Sequence, residues 1–514
     1  MKTYPSIFND CLSPVSPGPS SSNTAGPYRL GSMAVDLLEG KASHLYIEMA
    51  KEGGYFATFY GMHSDKAFLA GILKKNIRTY DFDQIYTDAE SNDFSYTFEF
   101  TDSVPAKPSE SAWLTLRSDN GDKIFIKTAS LGGGEIVISE LDGIETYIDG
   151  KFYYLLVRAA TEKVSEVHTM LSCPFTTVDG GSGESLITVR SREPLNSKLV
   201  AELRHKEGVV YTRCINPVYD IIPVDTQMPF ATAEEMFAYV KEKNIPVWQA
   251  ALDYERAISG CSDSDLMKIA ESLWDLSVYS AEQGYAVTSF DGNTSPHALQ
   301  SKNRYENGPI VSLGVADKAS ADALSIMEYA AAHGVIACMP TGGSSGIPVP
   351  SIRYSAEALK KSKEDCLKAL LVAGIVGIFY YPTHYHGAWG CQAEIGVSIS
   401  MTAGALASLL TDDPDVIERA AVLGAQSVLG QICDPVDGCS QVPCFIRNMT
   451  AVPTAIICAN AALAGCETLL GLDKMSETVL RVGLKLKEYG INDLGVCYCK
   501  VQRDAAIATK RESR

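Results

Sequence analysis

Three cysteines are the residues of this sequence whose type and setting most clearly suggest chemistry. They are Cys391 in the segment GCQAE, Cys433 in the segment CDPV and Cys444 in the segment VPCFIRN. Each is predicted to lie where a loop meets a helix, so that its thiolate can reach a metal and a helix N-terminus can stabilise the negative charge. Taken singly, any of them could instead be a small buried apolar side chain, which is the usual state of a free cysteine.

Three other segments are rich in small or hydroxyl-bearing residues. They are residues 18–27 (GPSSSNTAGP), 131–135 (LGGGE) and 339–346 (MPTGGSSG). The hydroxyl groups of the first segment could hold the ammonium or carboxylate group of a small substrate. The backbone N–H groups of the third could do the same, because glycine-rich turns form anion-binding nests. Either loop alone is more often a plain connector.

These segments together resemble the iron–sulfur L-serine dehydratases. The cysteine segments are similar to the cluster-binding motifs of that family in residue sequence, in order along the chain and in spacing. Residues 18–27 resemble its N-terminal GPSSSHT loop, 131–135 a glycine-rich strand end of its smaller domain, and 339–346 a small-residue loop of its helical domain. The resemblance spans nearly the whole chain and implies a cytoplasmic lyase of amino-acid metabolism and gluconeogenesis.

The resemblance implies a [4Fe–4S] cluster held by Cys391, Cys433 and Cys444. Such a cluster normally takes four thiolates. With three, one iron keeps an open position and can act as a Lewis acid toward the β-hydroxyl of L-serine. A base must then remove the α-proton, and loss of water gives an enamine that decays to a keto acid and ammonia.

The resemblance also implies which residues bind the substrate and which one is the base. The expected substrate-binding residues are Ser20, Ser21, Ser22, Asn23, Thr24, Thr341, Gly342, Gly343, Ser344 and Ser345. His63 is the expected general base, since its segment YGMHSDK resembles a family segment with a histidine before an Asp and a basic residue. An imidazole titrates near neutral pH, as proton abstraction in the cell requires. The alternative is a surface histidine in a polar turn.

The sequence departs from the family pattern in three places. Asn23 occupies the position of the family's histidine and cannot exchange a proton at neutral pH, so any acid–base role there is lost or transferred. His384 and His386 precede the first cluster cysteine and could supply that proton carrier, reshape the substrate pocket, or simply connect two helices. The chain ends in RESR rather than in a cysteine that could fold back onto the open iron, and Cys497 and Cys499 lie well inside.

The predicted fold class is α+β, in three parts. Residues 1–148 are expected to form a mixed α/β domain like the family's beta domain, with a helix at 30–38, a strand at 55–60 and a hairpin of 113–117 with 123–127. An Asn-Gly pair in the intervening loop supplies the positive φ angles of a tight turn.

Residues 149–217 predict a small βαββαβ unit that resembles an ACT domain in topology and length, a class that often binds amino acids. Residues 228–514 are expected to form an all-helical domain like the family's alpha domain, and Thr232 with Glu235 forms a capping box at its first helix. Further helices are predicted at 263–283, 319–333, 355–380, 394–410, 414–430, 451–470 and 473–489.

Composition narrows the classes of function. A net charge of −18 argues against a nucleic-acid partner, which requires clustered Lys and Arg. The first residues show no secretory signal, so the 14 cysteines favour free thiols or metal ligands in a reducing compartment. The apolar stretches 369–381, 395–410 and 451–470 are expected to be interior helices rather than membrane spans. The expected partners are a small amino-acid substrate and a second copy of the chain in a homodimer.

Two kinds of alternative remain open. Within the same chemistry, the enzyme could be an L-cysteine desulfidase or a dehydratase of another β-hydroxy acid. A different class is an ACT-type amino-acid sensor with a structural zinc at the cysteines. Metal analysis separates these classes, because an iron–sulfur enzyme contains iron and acid-labile sulfide whereas the sensor contains zinc.

Overall fold

A computed structural model describes residues 4–52, 54–106, 110–224, 226–381, 390–432 and 439–489. The fold is α+β, as predicted: a sheet-containing N-terminal part is followed by a small four-stranded unit and then by a helical domain. Cys433, His384, His386, Cys497 and Cys499 lie outside the described residues.

The N-terminal part is built on one six-stranded sheet. Its strands, together with the separate strand β1, are β1 (Val15–Pro17), β2 (Ala42–Ala50), β3 (Ser95–Thr101), β4 (Glu110–Ser118), β5 (Lys123–Gly132), β6 (Glu135–Leu141) and β7 (Ile144–Ile148). The strand order across the sheet is β3-β2-β4-β5-β6-β7. Its helices are α1 (Ala25–Leu37), α2 (Gly54–Thr58), α3 (Ser64–Ile72) and α4 (Ile85–Ser91). Helices α1 and α3 pack on each other, and α1 contacts β5 and β6 through a core that includes Leu30, Phe68 and Ile126.

The predicted hairpin is present, but the strand predicted at 55–60 is wrong. Arg117 pairs with Lys123 across β4 and β5, and Gly121 in the turn has a φ of 91°. Residues 54–58 instead form helix α2, because Tyr55 and Phe59 are four residues apart and therefore lie on one helical face. Their buried rings pack with centroids 5.8 Å apart. Tyr55 and Phe59 are buried while Phe56 and Tyr60 are exposed, so the aromatic residues that suggested a strand follow the spacing of a helix.

The middle unit has the predicted βαββαβ order. Its elements are β8 (Tyr153–Ala160), α5 (Val164–His168), β9 (Phe175–Asp179), β10 (Glu184–Ser191), α6 (Ser197–Arg204) and β11 (Val209–Ile215). The four strands form an antiparallel sheet in the order β11-β8-β10-β9. Val167 of α5 and Leu203 of α6 join Leu155, Val157 and Ile187 of the sheet in one apolar core. Apolar residues that alternate along the strands and recur along the helices therefore build a two-layer unit.

The helical domain contains most of the helices that its periodicity predicts. They are α7 (Ala233–Lys243), α8 (Val247–Ser259), α9 (Asp263–Gly284), α10 (Ala298–Asn307), α11 (Val315–Ala331), α12 (Pro348–Ala358), α13 (Lys363–Ile378), α14 (Val397–Ser408), α15 (Pro414–Gln426), α16 (Ile446–Leu463) and α17 (Leu472–Glu488). Thr232 and Glu235 form the expected capping box. The single helix predicted at 355–380 is two helices, because Ser362 and Asp365 form a second capping box that starts α13.

Among the described residues, one helical run, Gln441–Leu463, is long and apolar enough to cross a membrane. It buries Ala451, Val452 and Ala455 against the helical domain while Ile446 and Ile457 are exposed. A single run of this kind is weak evidence for membrane insertion, because a core helix of a globular domain has the same composition.

A two-stranded sheet joins the N-terminal segment to the helical domain. Strand β1 pairs antiparallel with β12 (Val335–Ala337), so that Pro17 lies opposite Val335. Gly18 follows β1 and donates its N–H to the Gly334 carbonyl at 3.3 Å. A Cβ on Gly18 would lie 2.4 Å from the Cβ of Ala330, so glycine allows this close approach. The pairing brings the loop at 18–24 beside the chain that leads into the 339–346 loop.

A buried ionic cluster links the N-terminal part, the middle unit and the helical domain. Lys151, at the start of the middle unit, places its Nζ 3.1 Å from Asp10 Oδ1, 3.1 Å from Glu135 Oε1 and 3.2 Å from the Tyr381 hydroxyl. The Tyr381 hydroxyl also donates to Glu135. Asp10 lies in the N-terminal segment, Glu135 in β6, and Tyr381 shortly after the end of α13. The cluster therefore couples the middle unit to both other parts.

Replacing Lys151 with methionine should destabilise the protein strongly. The substitution keeps much of the side-chain volume but leaves two buried carboxylates without their cation, which typically costs about 3–5 kcal/mol. Urea denaturation followed by circular dichroism measures the change. The matched control is Lys51→Met, since the Lys51–Asp102 ion pair is largely exposed and should contribute little. Equal midpoints for the two variants would contradict the structural role of the cluster.

Candidate active site

Two of the three predicted cluster cysteines lie side by side. Cys391 immediately precedes a π-helical turn, Gln392–Gly396, that leads into α14, and it is fully buried. Cys444 lies in a second π-helical turn, Gln441–Phe445, that leads into α16. The two thiols are hydrogen-bonded to each other, and this contact, together with burial, raises the pKa of Cys444 well above its usual range. The predicted placement of both cysteines at loop–helix junctions is thus what the structure has.

Arg447 links the segments that carry the cysteines. It lies one helical turn after Cys444, and its Nη1 donates to Cys391 Sγ at 3.0 Å. The same nitrogen donates to the carbonyl of Ile432 at 2.8 Å, directly before Cys433 in the chain. A guanidinium beside a sulfur favours the thiolate, which is the form that binds metals. Arg447 therefore both connects the segments and supplies positive charge beside the thiols.

The donor set suits a thiolate-bound metal centre as far as it is described. Within the ranges that the structure covers, no group of three or more His, Cys, Asp or Glu side chains could hold a metal ion. Cys391 and Cys444 are free thiols rather than a disulfide. Two adjacent thiols, that of Cys391 buried and that of Cys444 partly buried, with a neighbouring cation match the soft sulfur ligands of an iron–sulfur site. The third predicted ligand, Cys433, lies outside the described residues.

A carboxylate joins the cysteine segment to the 339–346 loop. Glu394 accepts a hydrogen bond from Thr341. A Cβ on Gly343 would lie 3.4 Å from both Glu394 carboxylate oxygens, so the loop passes directly over this group. Burial, followed by the negative charge of Cys391, raises the pKa of Glu394 to about 7, while Thr341 and Arg447 oppose the shift.

Asn448 holds the 339–346 loop against the Cys444 turn. Its Nδ2 donates to the carbonyls of Gly343 at 2.7 Å and Cys444 at 2.9 Å. Its Oδ1 accepts from the Gly346 N–H at 3.1 Å. Asn448 is fully buried, so these bonds satisfy an amide that would otherwise be costly to bury. The loop and the cysteine turn therefore form one rigid piece.

Asn23 is the centre of the serine-rich loop. Its Nδ2 donates to the hydroxyls of Ser20 at 3.2 Å and Ser22 at 3.3 Å. Its Oδ1 accepts from Thr58 Oγ1 and Ser64 Oγ, both at 2.9 Å. The side chain thus connects the loop to α2 and to the start of α3, a structural task that an amide performs without exchanging a proton.

The other predicted substrate-binding hydroxyls are mostly bonded within the two loops. Four of them make hydrogen bonds to backbone groups of their own or the facing loop: Ser21, Thr24, Ser344 and Ser345. One of these bonds, from the Gly342 N–H to Ser21 Oγ at 3.3 Å, ties the loops together. Ser20 and Ser22 are partly exposed and are better placed to meet a ligand.

His63 lies next to the serine-rich loop and is buried. It precedes α3 with a left-handed backbone (φ 65°) and is 4% exposed, and its neighbour Ser64 bonds to Asn23. Burial, and then the nearby His333 and Lys66, lower the pKa of His63 to about 3. The imidazole is therefore neutral at neutral pH and keeps a free lone pair, but it is a weaker base than the near-neutral titration expected from the sequence, because burial disfavours its charged form.

The chain is similar to known serine dehydratases. Residues 242–491 match the family model described as serine dehydratase alpha chain. The L-serine dehydratase of Streptomyces coelicolor is 26% identical over 511 residues, which cover 93% of this chain and 96% of the relative. Over nearly its whole length, this chain is thus similar to L-serine dehydratases. L-serine dehydratase 1 of Escherichia coli is likewise 26% identical, over 95% of this chain and 97% of its own length. The L-serine dehydratase alpha chain of Peptoniphilus asaccharolyticus is 29% identical over 51% of this chain.

The structure adds site residues that sequence reasoning missed. Glu394, Arg447 and Asn448 stand inside the cysteine segments that carry the family resemblance, but only their contacts reveal what they do. His333 ends the helix predicted at 319–333, and no local sequence pattern connects it with His63. Its ring packs edge-on against His63, with 4.0 Å between the centroids.

Proposed function

We propose that this protein is an L-serine ammonia-lyase that uses a [4Fe–4S] cluster on Cys391, Cys433 and Cys444 to form pyruvate and ammonia. The observation that carries the proposal is the contact between the Cys391 and Cys444 thiols under Arg447. It occurs in a chain that aligns over nearly its whole length with proteins named L-serine dehydratase.

The reaction is a β-elimination. A cluster held by Cys391, Cys433 and Cys444 would supply a Lewis acid for the departing β-hydroxyl. His63 accepts the α-proton, and the electron pair of the broken C–H bond forms the Cα–Cβ double bond as the C–O bond breaks. Proton and hydroxide together make one water, and the resulting enamine tautomerises and hydrolyses to the keto acid and ammonia.

The two loops beside the cysteines are proposed to bind the substrate. Ser20 and Ser22 offer partly exposed hydroxyls oriented by Asn23. The facing loop contributes Thr341 and, through its backbone, Gly343. The remaining members of the proposed substrate-binding set act chiefly by holding the loops in shape: Ser21, Asn23, Thr24, Gly342, Ser344 and Ser345.

The division of labour follows the three parts of the chain. Residues 1–148 and 228–514 are proposed to correspond to the family's beta and alpha domains, with the substrate between them. Residues 149–217 are proposed to be an ACT-like regulatory domain that binds an amino acid. The enzyme is proposed to work in the cytoplasm as a homodimer.

Anaerobic reconstitution with ferrous iron and sulfide tests this function. We expect bound iron with acid-labile sulfide, and faster keto-acid release from L-serine than from L-cysteine or L-threonine. Activity should decay in air and return after anaerobic treatment with ferrous iron and a thiol, because an iron with an open coordination position is exposed to oxidants.

Three results would count against the proposal. Stoichiometric zinc without sulfide would indicate a structural metal. Full activity in an aerobic, iron-free preparation would remove the cluster from the mechanism. Faster turnover of L-cysteine with sulfide release would make the protein a desulfidase.

A further inference from the structure

His63 and His333 form a closely packed pair, and both have a left-handed backbone conformation. The ring planes meet at 86°, and the two residues have φ angles of 65° and 62°. Seven described non-glycine residues have a positive φ, and His333 adopts it directly after the end of α11, where a left-handed residue commonly terminates a helix. His333 lies in the connection between α11 and β12, so the β1–β12 pairing brings it to the His63 side of the site.

The orientation of His333 is set by a carboxylate. Its Nδ1 lies 3.2 Å from Asp83 Oδ1, and Lys66 Nζ holds the same oxygen at 2.6 Å. An ionised carboxylate only accepts hydrogen bonds, so Nδ1 carries the proton and Nε2 presents its lone pair. That Nε2 is buried and has no hydrogen-bond partner among the described residues. A buried acceptor without a partner calls for a functional explanation.

His333 also borders open space, whereas His63 does not. A cleft of about 640 Å³ lies between the N-terminal part and the helical domain, and its wall includes Arg78, Tyr80, Tyr329 and His333. The part of the wall that the structure describes does not include His63. His333 is therefore positioned between the buried imidazole and the cleft.

We propose that His333 is a proton-relay residue that accepts at Nε2 the proton which His63 takes from the substrate, and releases its own Nδ1 proton to the largely exposed carboxylate of Asp83, which returns it to water. The inference rests on the proposed function. The proton leaves the substrate's α-carbon and passes through His63 to His333, and the Nδ1 proton that His333 releases in exchange ends in solvent. The electron pair stays behind in the new double bond, and hydroxide leaves from the β-carbon.

The electrostatics of the pair require such an exit. Burial keeps His63 neutral, so a proton on it is unfavourable and must move on before the next turnover. Burial and then Lys66 lower the pKa of His333 as well, while Asp83 and Asp291 oppose that lowering, so neither histidine retains the proton. Asn23, where the resembled loop carries histidine, has all its polar groups engaged and cannot take this role.

The test is His333→Gly in the reconstituted enzyme. Glycine accepts the positive φ and leaves a space beside the cleft that free imidazole can enter. We expect kcat to fall by about ten- to a hundredfold, at the low end of losses for removed proton-transfer groups, with KM and iron content unchanged. Added imidazole should restore part of the rate. The double variant His63→Ala/His333→Gly should be no slower than His63→Ala, because the relay acts only through His63.

A measurement independent of turnover completes the test. In the histidine-labelled protein, NMR titration should show a higher pKa for His63 in His333→Gly than in the wild type, because a neighbour that lowers it is gone. His44→Asn, at an exposed histidine, is the control for nonspecific imidazole effects.

Each contrary outcome has a distinct meaning. Wild-type kcat in His333→Gly, additive losses in the double variant, or an unchanged His63 titration would overturn the relay and leave the proposed function standing. A wild-type enzyme that releases no keto acid from L-serine would overturn both.

Discussion

Replacing Cys391 with serine is expected to abolish cluster binding. A three-ligand site has no spare thiolate, and Cys391 Sγ is also the sulfur that Arg447 contacts at 3.0 Å. Bound iron should fall from about four per chain to background, with loss of the sulfide and of the brown colour. Cys433→Ser and Cys444→Ser should give the same result. Iron and sulfide analysis after anaerobic reconstitution measures the effect.

Three other cysteines provide the controls. Cys458 is buried in α16, the helix that follows the Cys444 turn, so Cys458→Ser tests whether loss of any buried thiol from this helix disturbs the cluster. Cys173→Ser and Cys214→Ser change cysteines of the middle unit. All three variants should keep normal iron. If Cys391→Ser, Cys433→Ser or Cys444→Ser retains a cluster of normal occupancy, that cysteine is not a ligand.

Local pattern was sufficient to predict much of the fold. The Asn-Gly turn defined the β4–β5 hairpin, and the βαββαβ unit followed from alternation and helix caps within short stretches of chain. The strand predicted at 55–60 was wrong because aromatic residues in a short run, such as Tyr55 and Phe59, suit a strand and a helix equally. Only their common burial against the domain core distinguishes the two.

Site residues could be predicted from the sequence only where they lie in continuous sequence motifs. Cys391 and Cys444 lie in recognisable sequence motifs, and their contact in the structure agrees with the metal-binding role predicted for both. Arg447 lies in the same motif as Cys444, but its hydrogen bond to Cys391 joins two turns that meet only in the folded domain. His333 depends on the pairing of β1 with β12, a contact between segments far apart in the chain that a single sequence does not encode locally.

The loss of His63 should separate proton abstraction from binding. His63→Ala should retain its cluster and still bind L-serine, yet lose about 10²–10⁴ in rate, as is typical when a general base is removed. Alanine at a left-handed position also costs about 1–2 kcal/mol, so His63→Asn, which tolerates that backbone better, is the matched variant. Both variants should bind serine with near wild-type affinity, as measured by calorimetry under anaerobic conditions.

Isotope exchange identifies the base directly. If His63 takes the α-proton, neither His63 variant should exchange the α-hydrogen of serine with solvent deuterium, because that exchange reports proton abstraction before the hydroxyl leaves. His384→Ala and His386→Ala are the comparison, since Asn23 leaves open a transfer of the proton role to their segment. Exchange that persists in His63→Asn but disappears in His384→Ala or His386→Ala would place the base in the segment before Cys391. His63 would then be a neutral, buried neighbour of the serine-rich loop, and the His63–His333 pair would lose its part in the reaction.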